Sequence, residues 1–310
     1  MASFRGIIAI DSKRSSGVAG ILRCGLPALC ALVGLAGCGR AQLQPAGPVS
    51  FAERTIFFDS FAIMLAVIVP VIVATLGVAW WFRGSNARAR RMPTWAYSGR
   101  IELIIWSIPT LVIVFLGGIA WIGSHDLDPA RPLPSRARAL TIEVVALDWK
   151  WLFIYPEQGI ASINRLVVPA GVPLHLMLTS ATVWNVFWVP QLGSMLYCMN
   201  GMVGTLYLEA SRPGIYYGES AMISGDGFAG MHFNTDAVPA GEFSSWAAST
   251  RAAGPVLDTR SYLGLLRPTM SVKPYTYRSV QPSLFRRIVL QKLPPGQGPG
   301  GGVTNVPPVD

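Results

Sequence analysis

Residues 60–82 read SFAIMLAVIVPVIVATLGVAWWF, 23 consecutive positions without a charged side chain. A helix of that length crosses the hydrocarbon core of a bilayer, about 30 Å, with some tilt. Pro70 lies inside the run and predicts a kink. Trp80 and Trp81 lie at its end, where an aromatic belt is expected. The stretch therefore predicts a transmembrane helix.

A second apolar run covers residues 101–122, and Glu102 is its only charged residue. Short loops rich in arginine stay in the cytoplasm, so both outer ends of this two-helix hairpin are predicted to face the periplasm. The segment between the runs carries positive charge without any acid: Arg83, Arg88, Arg90, Arg91 and Arg100.

The composition agrees with a membrane protein. Hydrophobic residues make up 51% of the chain and charged residues only 13%, about half the charged share of a typical soluble domain. This argues against intrinsic disorder and against a purely soluble enzyme. The net charge is +7 on residues 1–122 and +2 on residues 123–310. Because the basic excess accompanies the apolar segments, it indicates membrane topology and excludes a nucleic-acid partner.

Residues 1–37 are predicted to be a lipoprotein signal peptide. Basic residues precede a short apolar stretch that ends in Leu35-Ala36-Gly37-Cys38, a tetrapeptide that resembles the bacterial lipobox. Cys38 would then be lipidated and become the N-terminus of a segment, 38–122, that holds the hairpin. The alternative is an uncleaved apolar N-terminus with a chance cysteine.

A periplasmic β-domain is predicted over residues 123–238. Short runs rich in β-branched and aromatic residues are separated by turn signals, which indicates a β-sandwich or barrel. Residues 239–293 are predicted to form a helical arm, with helices over 239–253 and 281–293. Residues 294–310 contain many Pro and Gly and are predicted to be a disordered tail. The strand-like runs cover 140–155, 165–169, 173–179, 183–189, 204–210, 214–223 and 231–235.

Several strings resemble subunit II of haem-copper respiratory oxidases, a likeness that extends over roughly residues 45–293. IELIIWSIP at 101–109 resembles the start of the second helix of that family, and DWKW at 148–151 its aromatic segment. WNVFWVPQLG at 184–193 and SAMISGDGFAGM at 220–231 resemble its two copper-ligand loops. The resemblance implies a cupredoxin-like β-domain behind the transmembrane hairpin.

The same resemblance implies that a binuclear copper centre, CuA, has been lost. Such a centre needs two thiolates, two imidazoles, a thioether and a backbone carbonyl. The positions of the two thiolates hold Ser220 and Ser224, and those of the two imidazoles hold Asn185 and Phe228. Met222 occupies the carbonyl position, and only Met231 keeps its ligand type. We therefore expect no metal and no cofactor in this chain.

The remaining candidate ligands do not suggest a substitute site. His125, His175 and His232 are scattered, and each is predicted to be a surface or lining residue rather than a ligand. Cys198 is the only cysteine after residue 38 and is predicted to be a small buried hydrophobe. A single thiol excludes a disulfide framework there.

A missing CuA centre and a lipobox resemble the quinol-oxidising, cytochrome bo-type branch of the family. The resemblance implies a non-catalytic subunit II of a proton-pumping ubiquinol oxidase in the bacterial inner membrane. Its partners would be subunit I, which carries the haems and copper, and further small membrane subunits. Quinol would be used by the complex, and cytochrome c would not. Alternatives are a CuA-type cytochrome c oxidase subunit II and a free-standing membrane-anchored lipoprotein.

Glu102 has two interpretations. It is either an interfacial carboxylate at a helix end or a proton-handling group near the mouth of a path into subunit I. Ionisable groups at membrane depth are costly and often functional, and the resemblance implies a glutamate with that role at this position.

Overall fold

Two long helices lie at the front of the part of the chain that the structure, a computed structural model, describes, namely residues 43–90, 92–296 and 298. Helix α1 covers Pro48–Trp81 and helix α2 covers Gly99–Asp126. Both are long and apolar enough to cross a membrane. They lie together near one end, because a Cβ at Gly123 of α2 would stand 2.7 Å from the Ile56 side chain of α1.

Helix α1 begins 12 residues before the apolar run that predicted it. Pro48 stands in its first turn, where a missing N–H costs nothing. The added turns carry Glu53, Arg54 and Asp59, so they extend the helix beyond the apolar stretch. The length of the apolar run thus located the helix, while Pro48 marks where it starts.

A β-sandwich follows the helices. The described strands are β1 Leu140–Leu147, β2 Lys150–Tyr155, β3 Ile160–Ile163, β4 Arg165–Pro169, β5 Pro173–Ser180, β6 Asn185–Trp188, β7 Leu196–Cys198, β8 Gly204–Glu209, β9 Gly214–Ser220, β10 His232–Val238, β11 Val256–Leu257, β12 Tyr275–Tyr277 and β13 Ser279–Val280. One sheet of the sandwich has six strands in the order β12-β3-β2-β1-β5-β8, and the other has five in the order β4-β10-β9-β6-β7. Within these two sheets the pairs β1–β5 and β4–β10 are parallel, and the other pairs are antiparallel.

Aromatic side chains fill the core between the two sheets. Trp151 and Phe153 of β2 face Phe187 of β6 and Phe233 of β10, with ring centroids 5.1 to 6.5 Å apart. Tyr155 ends the row, and its hydroxyl donates to the Val167 carbonyl at 3.0 Å. The alternating pattern of strand β2 thus places large rings on one face, as offset aromatic packing favours.

A helical arm follows the β-sandwich. It comprises α3 Ala240–Ala252, α4 Thr259–Leu265, α5 Leu284–Val289 and the small pair of strands β11 and β13. Phe243 and Ala247 of α3 join the core between the two sheets, whereas α4 and α5 cover the outer face of the six-stranded sheet. Tyr262, Leu265, Phe285 and Ile288 form a second apolar cluster with residues of β1, β2 and β3. Two membrane-type helices, a β-sandwich and a C-terminal arm confirm the predicted fold class.

The last predicted helix is shorter than the sequence pattern suggests. It was expected over 281–293, but α5 covers Leu284–Val289. Ser283 just before it and Gln291 just after it adopt positive φ angles, 61° and 53°. A left-handed residue at each side interrupts the helical backbone, and apolar periodicity does not reveal this.

The first residues of the Pro/Gly-rich segment 294–310 contact the domain. Gly296 N donates to the Ala181 carbonyl at 3.0 Å, and Gly298 N donates to the Asp148 carboxylate at 3.2 Å. Positions 297 and 299–310 lie outside the described residues, as do Arg91, the predicted signal peptide and Cys38.

Candidate functional site

The degenerate copper loops lie where strands β6 and β9 meet. Asn185 begins β6 and Ser220 ends β9, and Phe187 of β6 pairs with Ser220. Beyond β9 the chain passes through a short 3₁₀ helix, Phe228–Gly230, and Met231 follows it. Two strands and one turn therefore position this candidate site.

A buried polar pair occupies its centre. Ser220 Oγ donates to Asn185 Oδ1 at 3.2 Å and lies 3.4 Å from the Met222 carbonyl oxygen. The Asn185 amide donates to the Val183 carbonyl at 3.2 Å. Ser220 N donates to the Met231 carbonyl, also at 3.2 Å. The structure thus brings together Asn185, Ser220, Met222 and Met231, four of the positions that the sequence singled out.

Ser224 and Phe228 belong to the second loop as well. The Trp149 indole donates to the Ser224 carbonyl at 3.0 Å, while the Ser224 hydroxyl is buried without a hydrogen-bond partner in the described structure. Phe228 is half-buried. Trp149 has a φ of 62° in the turn between β1 and β2, and its ring packs against Gly227.

Cys198 is closer to this site than the sequence indicated. It is the direct cross-strand partner of Asn185, and residues opposite each other in an antiparallel pair share a face. Burial raises the pKa of the Cys198 thiol to about 12. Because metals bind the thiolate, this protonated thiol is a poor ligand. The prediction of a buried, hydrophobe-like cysteine agrees with this placement.

These side chains do not fit a CuA centre. Amide and hydroxyl oxygens are hard donors, whereas copper that cycles between two redox states needs thiolate and imidazole. Within residues 43–90, 92–296 and 298, no group of three or more His, Cys, Asp or Glu side chains could hold a metal ion.

The three histidines do not come together with each other or with other possible metal ligands in the part of the chain that the structure describes. His125 contacts Trp121 at the end of α2 in a tilted ring pair, and His232 is exposed and stacks on Tyr217. His175 stacks on Tyr207 with ring centroids 4.8 Å apart, and burial lowers its pKa. Each is a surface or lining residue, as its sequence context predicted.

Lys150 is a buried cation that sequence reasoning passed over. Its ammonium donates to the Arg267 carbonyl at 2.8 Å and the Thr269 hydroxyl at 2.6 Å, so it ties the arm to the sheet. Burial lowers the pKa of Lys150 to about 8, partly offset by the charge of Asp148. Only the long-range fold supplies these acceptors, and the sequence carries no signal for them.

Glu102 lies in the first turn of α2 and is exposed in this chain. Its backbone N–H donates to the Ser98 carbonyl at 3.0 Å. The arginine-rich segment 83–100, of which all residues but Arg91 are described, precedes it directly. The carboxylate is therefore free to face another protein or the interface, and its placement fits both interpretations.

A helix pair that carries such a periplasmic domain defines the subunit II class of respiratory oxidases. Residues 157–238 match the family "Cytochrome C oxidase subunit II, periplasmic domain", and residues 251–296 match "COX Aromatic Rich Motif". The chain belongs to the ubiquinol oxidase subunit 2 family, as its relatives show. The predicted resemblance is thus confirmed.

Two relatives establish this membership. Cytochrome bo(3) ubiquinol oxidase subunit 2 of Pseudomonas aeruginosa is 44% identical over 255 residues, which cover 82% of this chain and 77% of the relative. Ubiquinol oxidase subunit 2 of Acetobacter aceti is 45% identical over 257 residues, which cover 82% and 83%. The apolar helices and the periplasmic-type domain fit a protein of the inner membrane.

The chain also has some similarity to a solved structure. The periplasmic domain of subunit II of cytochrome oxidase from Bradyrhizobium japonicum is 25% identical, with a TM-score of 0.35. The matched region covers 38% of this chain and 96% of the solved domain.

Proposed function

We propose that this chain is the non-catalytic subunit II of a proton-pumping ubiquinol oxidase. The observation that carries the proposal is the hydrogen-bonded pair Asn185–Ser220, which stands where a CuA centre would need an imidazole and a thiolate. A complex that takes electrons directly from quinol needs no copper relay for cytochrome c. In this assignment the haems and copper belong to subunit I, and this chain supports and caps that subunit.

Activity of the purified complex tests the assignment. A tagged chain extracted from membranes should carry a large haem-bearing polypeptide and further small subunits with it. The preparation should consume oxygen with ubiquinol and not with reduced cytochrome c. Oxidation of cytochrome c would instead support the CuA-type alternative, and absence of any haem polypeptide would support a free-standing lipoprotein.

We infer that both ends of the hairpin face the periplasm and that Cys38 carries a lipid. The arginine-rich loop between α1 and α2 supports the orientation, and lipidation of Cys38 would require the same side. The spans are expected to dominate membrane attachment, because a lipid chain adds much less than a spanning helix.

Cys38→Ser is therefore expected to abolish lipidation while the protein stays in the membrane fraction. Mass spectrometry of the mature N-terminus reads the first effect, and carbonate extraction of membranes reads the second. Ala36→Gly, which keeps a small residue in the lipobox, is the control and should remain lipidated. Release of Cys38→Ser into the soluble fraction would show that the two spans are misassigned.

We further propose that Glu102 helps protons to reach subunit I. It is the single charged residue of the second apolar run, and the inferred topology places it on the cytoplasmic side, from which protons are drawn. A carboxyl group can accept and release a proton there. Because water at the mouth of such a path also delivers protons, the contribution of Glu102 is partial.

Glu102→Gln is expected to slow ubiquinol oxidation severalfold with haem content and assembly near normal, because the amide keeps the shape but cannot exchange a proton. Glu102→Asp should retain more activity. Glu242→Gln is the matched control, since Glu242 also lies in the first turn of a helix, α3, but in the periplasmic arm. The rates of ubiquinol-dependent oxygen consumption of the variants are compared with the wild-type rate at matched haem content. Wild-type rates for Glu102→Gln at every pH would reduce Glu102 to an interfacial carboxylate.

A further inference from the structure

A cavity of about 320 Å³ lies where the two helices meet the β-domain. Val49 of α1 and Asp126 at the end of α2 line it. Asp128 and Arg131, from the linker that follows α2, and Tyr207 of β8 line it as well. Nothing in the proposed oxidase function uses this cavity.

Hydrogen bonds within the protein hold the linker that lines the cavity in place before any ligand binds. Tyr207 N donates to the Pro129 carbonyl at 2.9 Å, which holds the linker against strand β8. Ala130 N donates to Asp128 Oδ1 at 2.9 Å, and Arg131 N donates to the Asp128 carbonyl at 3.0 Å. A linker tied at each of these points keeps its shape, and binding there costs little ordering of the protein.

The cavity presents charged side chains of both signs, and Asp126, Asp128 and Arg131 are all exposed. The Arg131 guanidinium lies 3.5 Å from the Asp126 carboxylate, and the two side chains are 62% and 67% exposed. A pair of this kind contributes little to stability. The guanidinium has five N–H donors in a fork that suits phosphate, and the carboxylates of Asp126 and Asp128 are acceptors for an ammonium group.

An aromatic residue marks the depth of the cavity in the membrane. Trp121 is 69% exposed and lies just over one helical turn before Asp126. Its ring contacts that of His125 in a tilted pair with centroids 4.5 Å apart. Exposed tryptophans at helix ends lie at the level of the lipid headgroups. With the topology inferred above, the cavity stands at the periplasmic headgroup layer.

We propose that this cavity binds the phosphoethanolamine headgroup of a membrane phospholipid. Arg131 contacts the phosphate, and Asp126 and Asp128 accept hydrogen bonds from the primary ammonium. A choline headgroup has the same charges but no N–H to donate, and a glycerol headgroup has no cation. The arrangement of charges therefore selects phosphatidylethanolamine over phosphatidylcholine and phosphatidylglycerol.

Lipid retention by the purified protein tests the proposal. The tagged full chain, with all proteins that associate with it, is placed in nanodiscs with equal parts of the three lipids. It is then extracted into detergent, and the tightly retained lipid is quantified by mass spectrometry. We expect phosphatidylethanolamine to be enriched at least severalfold. Soluble O-phosphoethanolamine should displace it, whereas inorganic phosphate should not.

Charge variants locate the site. Arg131→Gln and Asp126→Asn should each remove one retained phosphatidylethanolamine per chain. Arg138→Gln is the control, because Arg138 is an exposed arginine near the same linker that pairs with Glu157 at 3.0 Å, outside the cavity. Both tested side chains are exposed, so folding should be unaffected, and unchanged haem content verifies this. Equal retention of the three lipids, displacement by phosphate, or full retention by Arg131→Gln would overturn the proposal.

Discussion

Restoring four side chains is expected to convert the copper-free domain into one that binds two copper ions. The variant carries Asn185→His, Ser220→Cys, Ser224→Cys and Phe228→His, and Met231 is left in place. The backbone is already suited, since Asn185 and Ser220 touch at 3.2 Å and the Met222 carbonyl lies 3.4 Å from Ser220 Oγ. Two thiolates, two imidazoles, a thioether and a carbonyl then complete the donor set.

The unaltered chain is expected to take up no copper stoichiometrically. Ser220→Cys with Ser224→Cys alone should give an incomplete site, because both imidazoles are still missing. Copper content and the near-infrared and EPR signals of a mixed-valence pair distinguish the three proteins. A mixed-valence signal from the unaltered chain would contradict our interpretation of Asn185, Ser220, Ser224 and Phe228.

The measurement should use the full chain rather than a fragment that begins at residue 123. Ala46, which precedes α1, is buried in the core of the β-domain. Its N–H donates to the Gln191 carbonyl, and its own carbonyl accepts from Ser211 N, both at 2.8 Å. A shortened protein would lose these contacts beside the loop that begins with Trp184.

Local patterns were sufficient to predict the two long helices, α3 and most of the main strands, while α4 at Thr259–Leu265 was missed. Membrane spans need only apolar length, and α3 was predicted over 239–253 and found at Ala240–Ala252. Strand β5 follows its alternating run within one residue. In these elements the order of apolar and polar side chains along the chain determines which face is buried. The type and position of each element can therefore be predicted from neighbouring residues alone.

Features that depend on distant partners could not be predicted in this way. Strand β12 exists because it pairs with β3, more than 100 residues away. Lys150 finds its acceptors at Arg267 and Thr269 for the same reason. The copper loops were located through a resemblance, but the proximity of Cys198 to Asn185 needed the pairing of β6 with β7.

Gly227→Ala is expected to destabilise the β-domain by about 2 kcal/mol, through overpacking against Trp149. A Cβ at this position would overlap the indole ring of Trp149, which is only 1% exposed and has no space to move. The backbone at Gly227, φ −87° and ψ 2°, is accessible to alanine. The loss of stability therefore arises from the overlap and from strain on the hydrogen bond that Trp149 Nε1 donates to the Ser224 carbonyl.

This effect can be measured on the full chain by native-state hydrogen exchange at the Trp149 indole. The indole of the Gly227→Ala protein should exchange roughly thirtyfold faster, which is equivalent to about 2 kcal/mol. Gly241→Ala is the control, because a Cβ there meets nothing within 4 Å. Since Gly241 lies inside α3, its replacement should stabilise the helix by roughly 0.5–1 kcal/mol. In a Trp149→Leu background, where exchange is followed at the backbone amides of β2 because the indole is gone, Gly227→Ala should cost much less, as expected for residues in direct contact. An undiminished cost in that background would show that Gly227 is required for a reason other than the space it leaves for Trp149.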